Sequence, residues 1–438
     1  MSKLQKTKLT GIEEIPTGWE VRTLGELFDF SGGMPFSRSA LGKQGVLYLH
    51  YGDIHKRNQN MFSTSDDFNW LPKIDIGIED VKDYALLTTG DVVFADASED
   101  YEGVGKSVVI VNDENKPFIS GLHTIVAREK DQRKLLDIGY KRYFLTPKFV
   151  RDQFVKIATG ATVFGISKTN IKQIKILVPP IPEQEEIATT LSSVDKAIQK
   201  TKSIIEQIEK MKKGLMQQLL TKGIGHTKFK KTEIGEIPEE WEVVKVGELC
   251  ESIVPGRNKP KEFNGNIPWI TTSDIDGPYI TTSKSGNFVS REELERVGGK
   301  IIPPNSVIMT CVGTLGITTV VKTAITINQQ LHAFVCPSSV NPLFLSKALE
   351  LKESYMKKLA TQTTIPYLNK SNCNSIPVPL PSLEEQNTIS SILEMQDAKL
   401  NNELKKLESL TYLKQGLMQS LLTGKVRVKV NEVEMTRI

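Results

Sequence analysis

The chain has 438 residues, 39% hydrophobic and 25% charged, with 21 prolines and 31 glycines; at roughly 150 residues per domain it is too long for one core and points to about three domains. No apolar run approaches the roughly 18 residues of a membrane span, so membrane and collagen-like architectures are excluded. Lysine plus arginine outnumbers aspartate plus glutamate by 56 to 52, which neither demands nor forbids a nucleic-acid partner, because binding depends on where positive charge clusters.

Met1 to Lys8 carries charge with no apolar stretch behind it, so a secretory signal is not expected and the chain is placed in the cytoplasm, with no membrane partner. Cys250, Cys311, Cys336 and Cys373 form no C-x-x-C pair and read as reduced core residues. His50, His55, His123, His226 and His332 lack metal-ligand spacing, so no metal site is expected.

Self-similarity organises the chain. Ile12–Leu27 (IEEIPTGWEVRTLGEL) returns as Ile234–Leu249 (IGEIPEEWEVVKVGEL). Residues 183–221 return without a gap as 385–423, ending in GLMQQLLT and GLMQSLLT. Between these anchors YLHYGDI (48–54) faces WITTSDI (269–275), and Gly121-Leu122-His123 is matched to Gln330-Leu331-His332. The chain is a tandem duplication with divergent bodies and matched tails.

In chain order, the first body is expected over 1–178. Its β-rich runs, such as Asp91–Phe94 and Val108–Val111, lie between turn residues, and a helix follows at Tyr140–Lys156. Lys141, Arg142, Lys148, Arg151 and Lys156 on that helix suit a solvated face as well as a contact surface.

Residues 179–223 should form a first long helix. Ile187, Leu191, Val194, Ile198, Ile205, Ile208, Leu215 and Leu219 make a heptad seam with polar interruptions at Thr201 and Lys212. Pro182 with Glu183, Glu185 and Glu186 suits its first turn, and Gly223 its end.

A linker is expected at 224–238 and a second body at 239–378. That body has β-rich runs at Ser306–Met309 and Thr318–Val321 and a helix at Asn341–Lys358 carrying Lys347, Lys352, Lys357 and Lys358. Residues 379–425 repeat the long helix, with seam residues Ile389, Leu393, Leu400, Leu407, Leu410, Leu417 and Leu421 and polar Gln396, Glu403 and Lys414. Ser382 and Glu385 fit a capping box, and Gly424 ends the helix. The tail, 426–438, offers no readable role.

Each long helix spans about 55 Å at 1.5 Å per residue. Because helix two starts where body two ends, tight junctions make the pair antiparallel, with the bodies at opposite ends of a rod about a pseudo-two-fold axis. An amphipathic helix packed on its own body is the alternative, but the gap-free duplication and shared polar seam positions favour the rod. The fold class is α+β: two β-rich mixed bodies joined by two long helices in an antiparallel coiled coil.

The duplicated IPxxWExxxxGEL from Ile15 and Ile237, the tail starts PPIPEQEEI and PLPSLEEQNTI, and the ends KKGLMQQLLT and LKQGLMQSLLT resemble the specificity subunit of type I restriction-modification enzymes, over nearly the whole chain. The resemblance implies two target recognition domains that each read half of a bipartite, asymmetric site in double-stranded DNA, spaced by an antiparallel coiled coil. It further implies two methyltransferase subunits docked on the helices and restriction/translocase subunits joined through them. S-adenosylmethionine, ATP and Mg would be bound by those partners, leaving this chain without catalytic residues or cofactors.

The physics of spacing agrees, since DNA advances about 34 Å per turn and a rod of this order can place two readers on one face. Candidate DNA contacts are loop cations, amides and hydroxyls. In the first body they are Ser37, Arg38, Tyr51, Lys56, Arg57, Lys106, Ser107, Thr159, Thr162 and Lys168. In the second they are Arg257, Asn258, Lys259, Thr271, Thr272, Ser273, Thr314, Gln329, Gln330, Gln362, Thr363, Thr364 and Lys370. Each alone reads first as a turn or surface residue; the contact reading rests on the loop groups.

Three enzyme-like patterns fail. Gly105-Lys106-Ser107 resembles a P-loop end, but Asp100 stands at the leading glycine and a β-rich run follows. Asn341-Pro342-Leu343-Phe344 resembles the tetrapeptide of amino-methyltransferases, but Leu343 replaces a proline and no glycine-rich cofactor loop precedes it. Asp75, Asp80 and Lys82 suggest a nuclease set that the second copy lacks. The competing non-enzymatic reading is a coiled-coil scaffold that binds proteins and not DNA.

Overall fold

A computed structural model describes residues 14–57, 60–67, 69–130, 135–256, 258–361 and 365–430. Of the candidate contacts, Arg257, Gln362, Thr363 and Thr364 lie outside the described residues. The chain forms two compact units, residues 1–201 with 406–438 and residues 202–405.

In the first unit a five-stranded sheet runs in the order Phe28–Gly32, Thr124–Glu129, Val92–Ala95, Ser107–Val111, Met61–Ser63, its last pair parallel and the rest antiparallel. A second sheet contains Val46–Leu49, paired in parallel with Phe118–Ser120 and antiparallel with Lys73–Ile74. The hydrophobic runs of the sequence supply these strands. Val92–Ala95 is buried on both faces, as expected where a sheet is covered on each side, by one apolar cluster holding Val92 and Phe94 and another holding Val93 and Ala95.

The second unit repeats this plan on its own residues. Its five-stranded sheet is ordered Glu251–Ile253, Leu331–Val335, Ser306–Thr310, Thr318–Val321, Tyr279–Ile280, again with a parallel last pair. Ile267–Ile270 lies parallel to Thr326–Ile327. In each unit the strand that opens the repeat, Glu20–Thr23 or Glu242–Lys245, pairs antiparallel with the strand that leads into a long helix, Lys175–Val178 or Pro377–Leu380.

The long helices are Ile181–Lys222 and Leu383–Leu421. Within the first unit Ile187 and Leu191 pack in one cluster with Leu417, Leu421 and Leu422, while Lys414 Nζ meets Asp195 at 2.6 Å. Within the second, Leu219 and Leu220 pack with Ile389 and Leu393, and Lys212 pairs with Asp397. In both units residues ascend one helix as they descend the other, so the pairing is antiparallel. The seam residues are all buried or half-buried, including Thr201, Lys212, Gln396, Glu403 and Lys414.

Gly223 and Gly424 close the helices at φ 66° and 70°, the left-handed conformation in which a residue with a Cβ is strained. Only half of the anticipated capping box forms. Ser382 Oγ accepts the Glu385 N–H at 3.3 Å, but the Glu385 carboxylate turns away to Trp241 and His226.

Two helices differ from expectation. Tyr140–Lys156 divides into Ile138–Lys141 and Lys148–Ile157, because Pro147 disfavours helical backbone at Thr146 before it. Asn341–Lys358 divides into Pro342–Glu350 and Glu353–Leu359 at Lys352. Three of their nine cations are structural: Lys141 is buried against Glu129 at 2.7 Å, Lys347 against Glu350 at 3.0 Å, and Arg151 donates to the Glu102 carbonyl at 2.9 Å; Lys148, Lys156, Lys357 and Lys358 are exposed. The segment anticipated as a linker contains a hairpin, Phe229–Thr232 with Gly235–Pro238.

No described helix is long and apolar enough to cross a membrane. All four cysteines are free.

Candidate nucleic-acid interface

Two loops in the first unit build a concave surface with polar groups. One follows the strand Val46–Leu49 and becomes the short helix Tyr51–Lys56. His50 caps it, its Nδ1 accepting the Gly52 N–H at 3.1 Å while the Asp53 carboxylate accepts the His50 N–H at 3.3 Å. The other follows the parallel partner strand Phe118–Ser120 and carries His123. With the loop before Ser107–Val111 they surround a cavity of about 940 Å³.

This cavity brings together Arg38, Tyr51, Lys56, Lys106 and Ser107 from the candidate contacts, and adds His55, His123, Arg142 and Arg151. Tyr51 sits edge-on to His123 at 5.4 Å between ring centroids and near-perpendicular to His55 at 6.1 Å. Lys106 Nζ donates to the His55 carbonyl at 2.8 Å, and Arg38 stands 3.5 Å from Asp53. Burial pushes the Lys106 ammonium below its ordinary value and the Asp53 and Asp96 carboxyls above theirs. A mixed wall of cations, hydroxyls and aromatic edges suits phosphate and base contacts. Among the described residues no group of His, Cys, Asp and Glu could hold a metal ion.

The remaining first-unit candidates lie elsewhere. Ser37 is exposed and shares a hydrogen bond with Ser39 at 2.8 Å. Arg57 turns inward, ion-paired with Asp67 at 2.8 Å and over the Phe62 ring at 5.0 Å, which leaves it a packing role. Thr159 and Gly165 bridge to close a loop whose tip exposes Thr162, and Lys168 is exposed at the start of the next helix.

The second unit builds the same turn with different side chains. Thr271 takes the place of His50, its N–H and hydroxyl both bonded to Asp274 at 2.8 and 2.7 Å. Thr272 and Ser273 follow where Tyr51 and Gly52 stand in the first unit. Gln329 donates to the Gly256 carbonyl at 2.9 Å, Lys259 lies over the Trp269 ring at 5.6 Å, and Asn258, Thr314 and Lys370 are exposed. Thr361 and Tyr367 close the loop equivalent to Thr159 and Gly165.

The ladders correct the sequence match between the loops. Ser31 pairs with Val126, and Ile253 with Ala333; since Ser31 and Ile253 are 222 apart in the matched openings, Val126 corresponds to Ala333. His123 therefore corresponds to Gln330 and not to His332, whose counterpart is the core residue Ile125. Backbone bonds agree, with Asp96 N–H donating to the His123 carbonyl at 3.1 Å and Cys311 N–H to the Gln330 carbonyl at 2.9 Å. His55, His123 and Asp96 were not among the candidates. The coincidental Leu-His dipeptide at 331–332 drew His123 onto the wrong residue of the second copy and obscured it.

The Gly105-Lys106-Ser107 segment leads into a strand and not a helix. Asn341 is a helix cap, its Oδ1 accepting from Leu343 and Phe344 N–H at 2.9 and 3.1 Å.

The family model "Type I restriction modification DNA specificity domain" matches this chain twice, at residues 16–210 and 238–412. The type I restriction enzyme MjaVIII specificity subunit of Methanocaldococcus jannaschii is 32% identical over 332 residues, covering 70% of this chain and 75% of that one. A second chain of that organism is 30% identical over 448 residues and aligns with 98% of each. Among solved structures, the S subunit of the type I restriction-modification system of M. genitalium superposes with a TM-score of 0.55 at 17% identity, covering 96% of this chain and 99% of its own. The chain belongs to the type I restriction-modification specificity subunits, with the family's DNA specificity domain present in tandem.

Proposed function

We propose that this specificity subunit reads a bipartite, asymmetric site in double-stranded DNA, one half through each body, with 1–178 and 239–378 as the two target recognition domains. The observation that carries this reading is the conserved scaffold with exchanged side chains: the same turn after the same parallel strand pair presents Tyr51 and His123 in one unit and Thr272 and Gln330 in the other. Two unlike readers give an asymmetric site.

The first reader contacts DNA through Arg38, Tyr51, Lys56, Lys106 and Ser107 around its cavity, with Thr159, Thr162 and Lys168 on the neighbouring loops. The second uses Lys259, Thr271, Thr272, Ser273, Gln329, Gln330 and Lys370. The paired helices set the unread spacer and dock two methyltransferase subunits, through which restriction/translocase subunits join. Those partners bind S-adenosylmethionine, ATP and Mg and carry the chemistry, and the assembly works in the cytoplasm. A net charge of only +4 leaves much of the phosphate neutralisation to the partners.

The test is duplex binding by the assembled complex across salt, with mapping of methylated bases in cells with and without this gene. A steep loss of affinity between low and moderate salt, sequence preference, and a bipartite motif that vanishes with the gene are expected. A complex with no duplex preference at any salt and no gene-dependent motif would favour the protein scaffold.

A further inference from the structure

Two equivalent side chains present opposite hydrogen-bonding groups. In the first unit His123 stands at the cavity on backbone held at φ 57°, a conformation that costs a non-glycine residue energy and tends to persist where side-chain placement matters. Its Nδ1 lies 3.1 Å from Asp96 Oδ1. A carboxylate only accepts, so Nδ1 carries the proton, and in the neutral ring Nε2 is left as an acceptor. No described residue bonds to that nitrogen, and the side chain is 52% exposed.

In the second unit the equivalent residue is Gln330, also exposed. Asn328 Oδ1 accepts the Gln330 backbone N–H at 3.1 Å, so the other arm of the Asn328 amide, the donor Nδ2, faces the Gln330 side chain. It meets Oε1 at 3.0 Å. This fixes the Gln330 amide with Nε2 outward, a donor without a partner among the described residues.

We propose that His123 and Gln330 are specificity-determining residues that read base edges with opposite polarity: His123 accepts from the exocyclic amine of adenine or cytosine, and Gln330 donates to a ring-nitrogen or carbonyl acceptor. The proposal rests on the reading that both units bind duplex DNA. In the major groove guanine and thymine offer acceptors and no amine, while cytosine offers an amine and no acceptor. His123 therefore disfavours guanine and thymine at the base it meets, and Gln330 disfavours cytosine. Asp96 and Asn328 are positioning residues that set the polarity.

The experiment uses the full chain with its methyltransferase partner subunits in cells lacking the native copy, and maps methylated motifs by sequencing. In H123A and Q330A one position of the motif should relax, losing about tenfold to a hundredfold discrimination, and the two relaxed positions should fall in opposite halves. Q330E, which replaces the donor by an acceptor, should move its position toward adenine or cytosine, and H123K should move the other toward an acceptor-bearing base. Both side chains are exposed, and an unchanged melting temperature separates a lost contact from a lost fold. Motifs unchanged in both alanine variants, or changed in the same half, overturn the proposal and leave DNA reading standing. A wild-type chain that yields no bipartite motif overturns both.

Discussion

The Trp241 indole N–H donates to the Glu385 carboxylate at 2.9 Å, and the same carboxylate takes the Ile224 N–H and His226 Nε2, each at 2.9 Å. The first unit repeats the arrangement: Trp19 donates to Glu183 at 3.1 Å, and Arg427 grips the same carboxylate while donating to the Thr17 carbonyl at 3.0 Å. His226 and Arg427 each stand three residues beyond the glycine that ends a long helix. Each start of a long helix is thus clasped by the tryptophan of the repeated opening and by a basic side chain that follows the other helix.

Removing the acceptor should cost more than removing one donor. E183A leaves the buried indole N–H and an exposed guanidinium without their partner and is expected to lose about 2 kcal/mol of stability, discounted because water reaches the guanidinium, whereas W19F removes one donor and most of its area stays, for about 1 kcal/mol. Urea unfolding checks the order; equal losses would refute the clasp.

The Lys212–Asp397 pair interrupts an apolar seam. Asp397 is 9% exposed and Lys212 24%, so K212M strands a nearly buried carboxylate. A loss of about 2 kcal/mol is expected, somewhat below that of a fully buried pair because water still reaches the ammonium. The double variant K212M/D397L should recover most of it, since an apolar pair of similar volume fits a seam. Thermal melts of the single and double variants test this.

Acid should weaken the second unit at a place where the first is indifferent. Burial, reinforced by Lys370, pushes the His332 imidazole down to about 4, against about 6.5 in the unfolded chain. The folded state binds fewer protons there, so His332's contribution is complete above pH of about 6.5 and is lost as pH falls toward 4, by up to about 1.4 kcal/mol per pH unit. His332→Ile, the residue type of its counterpart Ile125, should flatten that slope. The urea midpoint measured between pH 7 and pH 4, converted to free energy by a slope of about 1–3 kcal/mol per molar, reads the difference.

Helix length should set site geometry. Four residues inserted in phase into both long helices add about 6 Å at 1.5 Å per residue, and the spacer of the methylated motif should lengthen by about two base pairs. An unchanged spacer refutes the ruler.

The duplicated openings and tails, the heptad seam and the terminal glycines were legible because each is a local pattern whose residues share one element. The partner of the Glu385 carboxylate was not: Ser382 three residues before it satisfies a capping pattern, yet Trp241 and His226 win the carboxylate through packing that brings distant segments together. The equivalence of His123 and Gln330 was hidden for a related reason. Loops of unequal length shift the offset between the copies, and Leu122-His123 matches Leu331-His332 by letter although one histidine is exposed and the other is 2% exposed. Only the strand ladders restore the count. The cation Lys141 on the first divided helix misled in the same way, since its partner Glu129 lies twelve residues back on a strand and is a carboxylate that the helix sequence does not announce.

Arg427 donating to the Thr17 carbonyl, with Gly424 placed against Pro16, brings the segment after the last helix onto the segment before the first strand, inside one unit. Two segments far apart in sequence thus meet at one corner of that unit. A permuted chain, joined by a short link across that corner and opened in a loop of the second body, would retain both clasps and both seams, so the order in which the two readers are synthesised need carry no information about the order of the bases they read.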